Sequence, residues 1–188
     1  MNIIDIGSHN GKTASPTYRY TLNDKYKVYH VEPNPYLHED LQKHNSTLLK
    51  YGVSDYNGRG KLYFDKRGFN NRQKGSHINK LTGMRSSFLK ENEYLGSFLT
   101  DNFVEVDMIT LDKLIDDLDL KKIHLLKIDT EGFDFRILKH YSWKIKPAKI
   151  ITEDFIETKQ EKYELLIIQG YNLIKSDNSD SYWQLEDQ

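Results

Sequence analysis

The chain has 188 residues, a length typical of one domain, and 37% of them are hydrophobic and 29% charged. Its formal net charge of -1 gives no overall attraction to nucleic acid or membrane, and the lack of cysteine excludes disulfides, a thiolate nucleophile and cysteine-ligated zinc. No apolar run approaches the ~18 residues of a membrane-spanning helix. We expect a single domain over residues 1–188, cytoplasmic and not bound to a membrane.

Apolar runs alternate with helical patterns in the first third of the chain. The stretch "PYLHEDLQKH" predicts a helix that begins at Pro35 and is capped by Asn34. The predicted strands are "IIDI" (3–6), "KVYHVE" (27–32), "TLLKYGVSD" (47–55) and "GKLYFD" (60–65).

The same alternation continues to the end of the chain. Thr110 is placed to cap the helix "LDKLIDDL". The further strands are "FVEVDMI" (103–109), "KIHLLKID" (122–129), "AKIITEDF" (148–155), "YNLIKS" (171–176) and "SYWQLE" (181–186), and the further helices are "GFDFRILKHY" (132–141) and "KQEKYELLIIQ" (159–169). This order predicts an α/β fold with a mainly parallel sheet, helices on both faces and a closing hairpin at one edge.

The turn "GSHNG" after the first predicted strand is a candidate ligand site, because ligands bind beyond the carboxyl ends of parallel strands. Gly7 and Gly11 are expected to let the backbone approach a ligand and to adopt positive φ. The dinucleotide fingerprint needs a glycine where this chain has His9, so a pyrophosphate would be crowded. A nicotinamide-dependent dehydrogenase is therefore disfavoured.

Glu32 ends the second predicted strand about 20 residues after this turn, where an acid binds ribose hydroxyls in such folds. Pro33 holds it in an extended conformation. The alternative is a solvated acid at a strand end. A ribose without a pyrophosphate fits S-adenosylmethionine, whose carboxylate could bind the N–H groups of the turn.

Several motifs together resemble the FkbM family of S-adenosylmethionine-dependent methyltransferases. They are "IDIGSHNGKT", "VYHVEPNP", "YGVSDYNG", "SSF", "VDMITLDKLI" and "LLKIDTEGFDFRILK", in the order expected and covering residues 2 to about 155. The most specific is "KIDTEGFDFRIL", similar to the family's D-x-E-G-x-E signature. Asp134 stands where the family usually has glutamate, and Ser8 and His9 replace alanine and asparagine of D-x-G-A-N-x-G.

The resemblance implies a Rossmann-like class I methyltransferase fold with a seven-stranded sheet whose last strand is antiparallel. It implies O-methylation of a hydroxyl on a sugar, glycan or small molecule, with S-adenosylhomocysteine as product. Cofactor contacts carried over from the motifs are Asp5, Gly7, Ser8, His9, Asn10 and Gly11 at the methionine end, Glu32 at the ribose, Pro33 and Asn34 beside the adenosine, and Val53, Ser54 and Asp55 beside the adenine.

Three acids at predicted strand ends are candidates for the chemistry. Asp129 is expected next to the cofactor's methyl group, with Glu131 and Glu153 near it, and one of them would take the proton of the acceptor hydroxyl. The alternatives are that Asp129 caps the following helix and that Glu131 complements the helix dipole. Three carboxylates also admit Mg²⁺, but the sequence does not show that they converge, so we assign no metal.

Residues 66–90 form a basic irregular stretch without Asp or Glu. We hypothesise a lid that binds an anionic acceptor such as a nucleotide sugar, a phosphorylated glycan or RNA. Arg72, Lys74 and Arg85 would contact this acceptor, and the family's serine motif adds Ser86 and Ser87. The alternative is a solvated loop with no partner.

Two other functions remain open at this point. RNA ribose 2′-O-methylation would use Lys12, Asp129 and Glu153, and the basic stretch would suit a phosphate backbone. A non-catalytic cofactor-binding or scaffold module is disfavoured because both the turn and the Asp129–Glu131 acids are present. The sequence specifies neither the acceptor nor the oligomeric state.

Overall fold

A seven-stranded sheet with the order β3-β2-β1-β7-β8-β10-β9 forms the centre of the structure. The computed structural model describes residues 1–13, 15–65, 86–90, 99–177 and 179–186. The first five strands of that order are parallel, and β10 is antiparallel to both its neighbours. The strands of this sheet are β1 (Asn2–Ile6), β2 (Lys27–Val31), β3 (Thr47–Leu49), β7 (Leu125–Ile128), β8 (Lys149–Glu153), β9 (Tyr171–Ser176) and β10 (Asp180–Leu185). The predicted fold class and closing hairpin are confirmed.

A second, three-stranded sheet contains β4 (Gly52–Ser54), β6 (Leu99–Thr110) and β5 (Gly58–Asp65), in the order β4-β6-β5. The single strand predicted over residues 47–55 was therefore wrong, because its two halves pair in different sheets. A Cβ on Gly52 would lie 2.5 Å from the Phe88 ring and 2.6 Å from the Met108 sulfur, so glycine permits this packing.

Five α-helices lie in the described part of the chain. They are α1 (Tyr18–Thr21), α2 (His38–Leu41), α3 (Leu111–Asp117), α4 (Asp134–His140) and α5 (Lys159–Ile168). Thr110 caps α3 as predicted, accepting a hydrogen bond from Lys113 N at 3.3 Å. The helix predicted to begin at Pro35 begins only at His38. The Asn34 side chain accepts from Tyr36 N at 3.1 Å in the turn that precedes it. Among these helices, none is long and apolar enough to cross a membrane.

The two faces of the central sheet are packed differently. The larger apolar cluster includes Leu114 of α3, Ile137 of α4 and Leu166 of α5, which cover one face. On the other face, a small cluster that includes Ile3 and Leu125 packs against tyrosine side chains of the α1 region and β10. The carboxyl ends of β1, β2 and β7 meet at one edge of this sheet, and the candidate site lies there.

Candidate functional site

A cavity opens at the carboxyl ends of the central strands and has two chemically different walls. Its polar wall is formed by the β1–α1 turn, the end of β2 and the segment after β7: Gly7, Ser8, His9, Glu32, Lys127, Asp129 and Glu131. Its apolar wall contains Leu37, Tyr51, Val53, Leu62 and Phe88. Sequence reasoning had identified Val53 in the apolar wall but not Tyr51, two residues before it, and Leu37, Leu62 and Phe88 come from separate parts of the chain.

The two glycines of the turn allow close packing against other parts of the protein. Gly7 has φ +72°, and a Cβ there would lie 1.8 Å from the carbonyl oxygen of Asp129. Gly11 has φ +70°, and its Cβ would lie 2.8 Å from Leu41 Cδ2. The positive φ expected at both glycines is confirmed. Of the two, only Gly7 belongs to the cavity lining, and the expected approach of a ligand at Gly11 stays a prediction.

Asn10 does not line the cavity, and its side chain forms hydrogen bonds within the turn. Its Oδ1 accepts from Lys12 N at 3.1 Å and from Thr13 N at 2.8 Å, and its own carbonyl contacts His44 Nε2 at 3.0 Å. His9, in contrast, lines the cavity with a left-handed backbone at φ 52°. Of these two residues of the turn, His9 therefore faces the site and Asn10 holds the turn in shape.

Glu32 is 6% exposed and lines the cavity, which rules out a solvated strand-end acid. Its Oε2 accepts from His9 N and its Oε1 from Asn34 N, both at 2.8 Å. Burial raises the pKa of Glu32 to about 7, against the lowering effect of these two hydrogen bonds. Pro33 lines the cavity beside it, whereas Asn34 is buried outside the lining.

Asp5 lies below the cavity rather than in its lining. It is 0% exposed, and its Oδ2 accepts from Thr17 Oγ1 at 2.5 Å and lies 3.4 Å from His30 Nδ1. Burial raises its pKa, but the Lys127 ammonium, followed by His30 and Thr17, lowers it to about 2. Asp5 therefore contacts Thr17, His30 and Lys127, and its expected contact with a cofactor stays a prediction.

Lys127 is a site residue that sequence reasoning missed. It is 5% exposed, and its ammonium reaches Gly7 O at 3.0 Å, Asp129 Oδ2 at 3.2 Å and Asp5 Oδ1 at 3.3 Å. Burial lowers its pKa, but the charges of Asp129 and Asp5 raise it above its usual value. The signal was available in the sequence, since a lysine interrupts the apolar strand "LLKI".

The three candidate catalytic acids do converge. One carboxylate oxygen from each of Asp129, Glu131 and Glu153 lies within 4.8 Å of the others. Burial, followed by the nearby charge of Asp129, raises the pKa of Glu153 to about 10. Lys127 already pairs with Asp129, and the expectation that no metal binds these acids stays a prediction.

Asp134, in the position of the family's second glutamate, is a structural residue. Its Oδ1 accepts from Thr130 N at 2.9 Å, and its Oδ2 accepts from Glu153 N at 3.0 Å. It thereby joins the ends of β7 and β8. Helix α4 begins after Phe133 without a side-chain cap, so the alternative that Asp129 caps this helix was wrong.

Ser54 and Asp55 do not line the cavity, contrary to the expectation that they flank an adenine. Ser54 is 1% exposed and donates to Asp55 Oδ1 at 2.9 Å. The other carboxylate oxygen of Asp55 pairs with Arg136 Nε of α4 at 2.9 Å. Asp55 thus pairs with α4, and Tyr51, Gly52 and Val53 form the cavity lining in this part of the chain.

The expected acceptor contacts divide into three groups. Arg72, Lys74 and Arg85 lie outside the described residues, as does most of the 66–90 stretch. Ser86 lines the cavity. Ser87 is 1% exposed and instead donates to the carbonyl of Glu131 at 3.0 Å, so it supports the acid rather than facing an acceptor.

Lys12 does not join the acids as RNA ribose methylation would require. Its ammonium lies over the Tyr18 ring, 5.5 Å from the centroid, and the residue is not part of the cavity lining. The lysine that contacts Asp129 is Lys127, from the strand beside it. The expected grouping of Lys12, Asp129 and Glu153 was therefore wrong in its basic member.

Comparison with known proteins identifies the family. The sequence profile of the methyltransferase FkbM domain matches residues 5–173. The chain belongs to the FkbM methyltransferase family. The match includes the glycine turn, Glu32 and the acids after β7, so it confirms the family that the motifs indicated. No protein with a curated description matches this FkbM-family chain in sequence.

Solved methyltransferase structures are similar to this FkbM-family chain. A methyltransferase FkbM from Methylobacillus flagellatus has a TM-score of 0.53 and 14% identity, over 98% of this chain and 43% of that one. A precorrin-6y C5,15-methyltransferase from Geobacter metallireducens has a TM-score of 0.47 and 13% identity, over 97% and 76% of the two chains. A putative caffeoyl-CoA O-methyltransferase from Staphylococcus aureus has a TM-score of 0.43 and 14% identity, over 98% and 76%. The chain thus spans less than half of the first structure, and that likeness shows the fold alone.

Proposed function

We propose that this protein is an S-adenosylmethionine-dependent O-methyltransferase that methylates a hydroxyl of a sugar, glycan or small molecule. The observation that carries the proposal is the two-part cavity, with an apolar wall beside a polar wall that ends in two acids. The apolar wall, with Val53 and Phe88, suits an adenine ring. The polar wall suits a ribose and an amino-acid group.

Glu32 supports the fit of a ribose. Each of its carboxylate oxygens accepts one backbone N–H, from His9 or Asn34. A carboxylate oxygen can accept two hydrogen bonds, so each keeps capacity for a ribose hydroxyl. The protein thus holds the acceptor groups of Glu32 in place before any ligand binds, which lowers the cost of ordering them.

Asp129 is the best-placed group to accept the proton of an acceptor hydroxyl. Its side chain is 39% exposed and lies in the cavity lining, whereas Glu153 is more buried and has a pKa raised to about 10. The cofactor, when bound, supplies an electrophilic methyl group on a sulfonium. The acceptor oxygen becomes the stronger nucleophile as Asp129 takes its proton.

Two measurements test this proposal. In a thermal-shift assay, S-adenosylhomocysteine should stabilise the protein and NAD should not, because a ligand stabilises only the state that binds it. Labelled methyl transfer from S-adenosylmethionine should then occur to free sugars or nucleotide sugars, with and without EDTA. Stabilisation by NAD alone overturns the proposal. Transfer to RNA alone replaces the acceptor, and binding without any transfer indicates a non-catalytic module.

A further inference from the structure

Lys127 is a buried, charged residue at the cavity, and it has no role in the methyl transfer as proposed above. It lies on β7 in register with Asp5 on the neighbouring strand β1. Its side chain is 6% exposed and its ammonium lines the cavity floor. Burying a lysine costs several kcal/mol before its contacts are counted, so the fold must gain something specific from it.

The contacts of Lys127 join the two functional halves of the site. An ammonium has three donors, and three acceptors surround this one: Gly7 O at 3.0 Å, Asp129 Oδ2 at 3.2 Å and Asp5 Oδ1 at 3.3 Å. Gly7 belongs to the turn on the cofactor side. Asp129 is the acid on the acceptor side.

Asp5 alone does not account for this arrangement. Its Oδ2 already accepts from Thr17 at 2.5 Å and lies 3.4 Å from His30, and the lysine approaches only Oδ1. The other two contacts of Lys127 point toward the cavity instead. Asp129 is 39% exposed, so without the lysine its side chain would have room to rotate toward solvent.

We propose that Lys127 is a positioning residue that holds the Asp129 carboxylate against the Gly7 turn and so fixes the acceptor's base relative to the cofactor. This inference rests on the proposed function. Methyl transfer requires the reacting atoms within near-attack distance, and a displacement of about 1 Å can cost 100-fold in rate. Lys127 acts on the rate through Asp129, without itself touching the transferred group.

A double-mutant cycle tests whether Lys127 acts through Asp129. The variants are Lys127→Met, Asp129→Asn and the double variant. The readouts are labelled methyl transfer to pooled sugars, nucleotide sugars and RNA, and the Kd of S-adenosylmethionine by calorimetry. We expect Lys127→Met to lower the rate about 100-fold in the wild-type background but less than about 3-fold in the Asp129→Asn background, with the cofactor Kd changed by less than about 5-fold.

A second buried lysine provides the matched control. Lys162 is 1% exposed, donates to the backbone carbonyl of Glu153 and pairs with Asp154 Oδ1 at 3.1 Å, and it contacts no candidate catalytic carboxylate and is not part of the cavity lining. Lys162→Met should lower the melting temperature as Lys127→Met does, yet change the transfer rate less than about 3-fold. If Lys127→Met does not fold, the cycle is run in an Asp5→Asn background, which removes the buried carboxylate left without its counter-charge.

The outcomes separate this inference from the proposed function. A wild-type protein that neither binds S-adenosylmethionine nor transfers its methyl group overturns both. An active wild type in which Lys127→Met costs the same factor in both Asp129 backgrounds overturns the positioning role alone. A rate loss explained entirely by weaker cofactor binding overturns it as well.

Discussion

The carbonyl oxygen of Asp129 lies 1.8 Å from the position that a Cβ on Gly7 would occupy. The turn after β1 and the segment after β7 are thus in direct backbone contact. They are also joined by the hydrogen bond from Asp129 N to Ile6 O at 3.1 Å. The glycine turn and the segment that carries Asp129 are therefore held together by their main chains.

Gly7→Ala should be strongly destabilising, by at least about 3 kcal/mol, because it adds a backbone collision to the left-handed strain of an alanine. Gly170→Ala is the control, since Gly170 has φ +88° but its new Cβ would lie 4.0 Å from its nearest neighbour, Leu185 Cδ1. That control should lose about 1 kcal/mol. Urea unfolding of both variants measures the difference, and equal losses would contradict the collision.

Glu32 should make stability depend on pH in an unusual direction. Its pKa is raised from 4.5 to about 7 on folding, so its contribution to stability is complete below pH 4.5 and is lost as pH rises through 7. The loss is up to about 3 kcal/mol. Urea unfolding at pH 5 and pH 8 should show this fall in the wild type and a smaller fall in Glu32→Gln. An identical pH dependence in the two proteins would contradict the assignment.

Glu32 and Asp55 should differ in their effect on cofactor binding. Glu32→Gln should weaken S-adenosylhomocysteine binding at least tenfold, because a ribose hydroxyl loses a charged acceptor. Asp55→Asn should change it less than about twofold, because Asp55 pairs with Arg136 outside the cavity. Calorimetric titration measures both, and a large effect at Asp55 would restore the role beside the adenine that its position in the chain suggested.

Glu131 should lower the free energy of unfolding relative to glycine at this position, although it is proposed to contribute to methyl transfer. It has φ 53°, a conformation that favours glycine. Glu131→Gly should therefore keep or raise stability, by up to about 1 kcal/mol, while methyl transfer falls at least tenfold. Asp119, with φ 50° and an exposed position, provides the control, and Asp119→Gly should raise stability without changing transfer. Unchanged transfer in Glu131→Gly would remove Glu131 from the chemistry.

Local patterns in the sequence predicted the features that depend on local structure. The Thr110 cap, the position of the glycine turn and the closing hairpin each follow from short motifs or from alternation. The division of residues 47–55 between two sheets depends on pairing between Gly52 and Met108, which are far apart in the chain. Such pairing leaves no local signal, so it could not be predicted.

The same distinction holds within the site. Glu32 was identified because its spacing from the turn belongs to a known pattern, and the structure places it in the cavity lining. Asp55 was misplaced because its partner, Arg136, comes from a helix about 80 residues later. Lys127 was missed because a single lysine in an apolar strand has no role until its neighbours Asp5 and Asp129 are known.

Ser87 joins the five-residue stretch 86–90 to β5 and to the segment after β7 by hydrogen bonds. Its backbone exchanges hydrogen bonds with Tyr63 at 3.0 and 3.1 Å, and its hydroxyl bonds the carbonyl of Glu131. Phe88, the next residue, is thereby kept over Gly52 at the apolar wall. One serine thereby ties the strand β5, the apolar wall and the segment that carries Glu131 to one another.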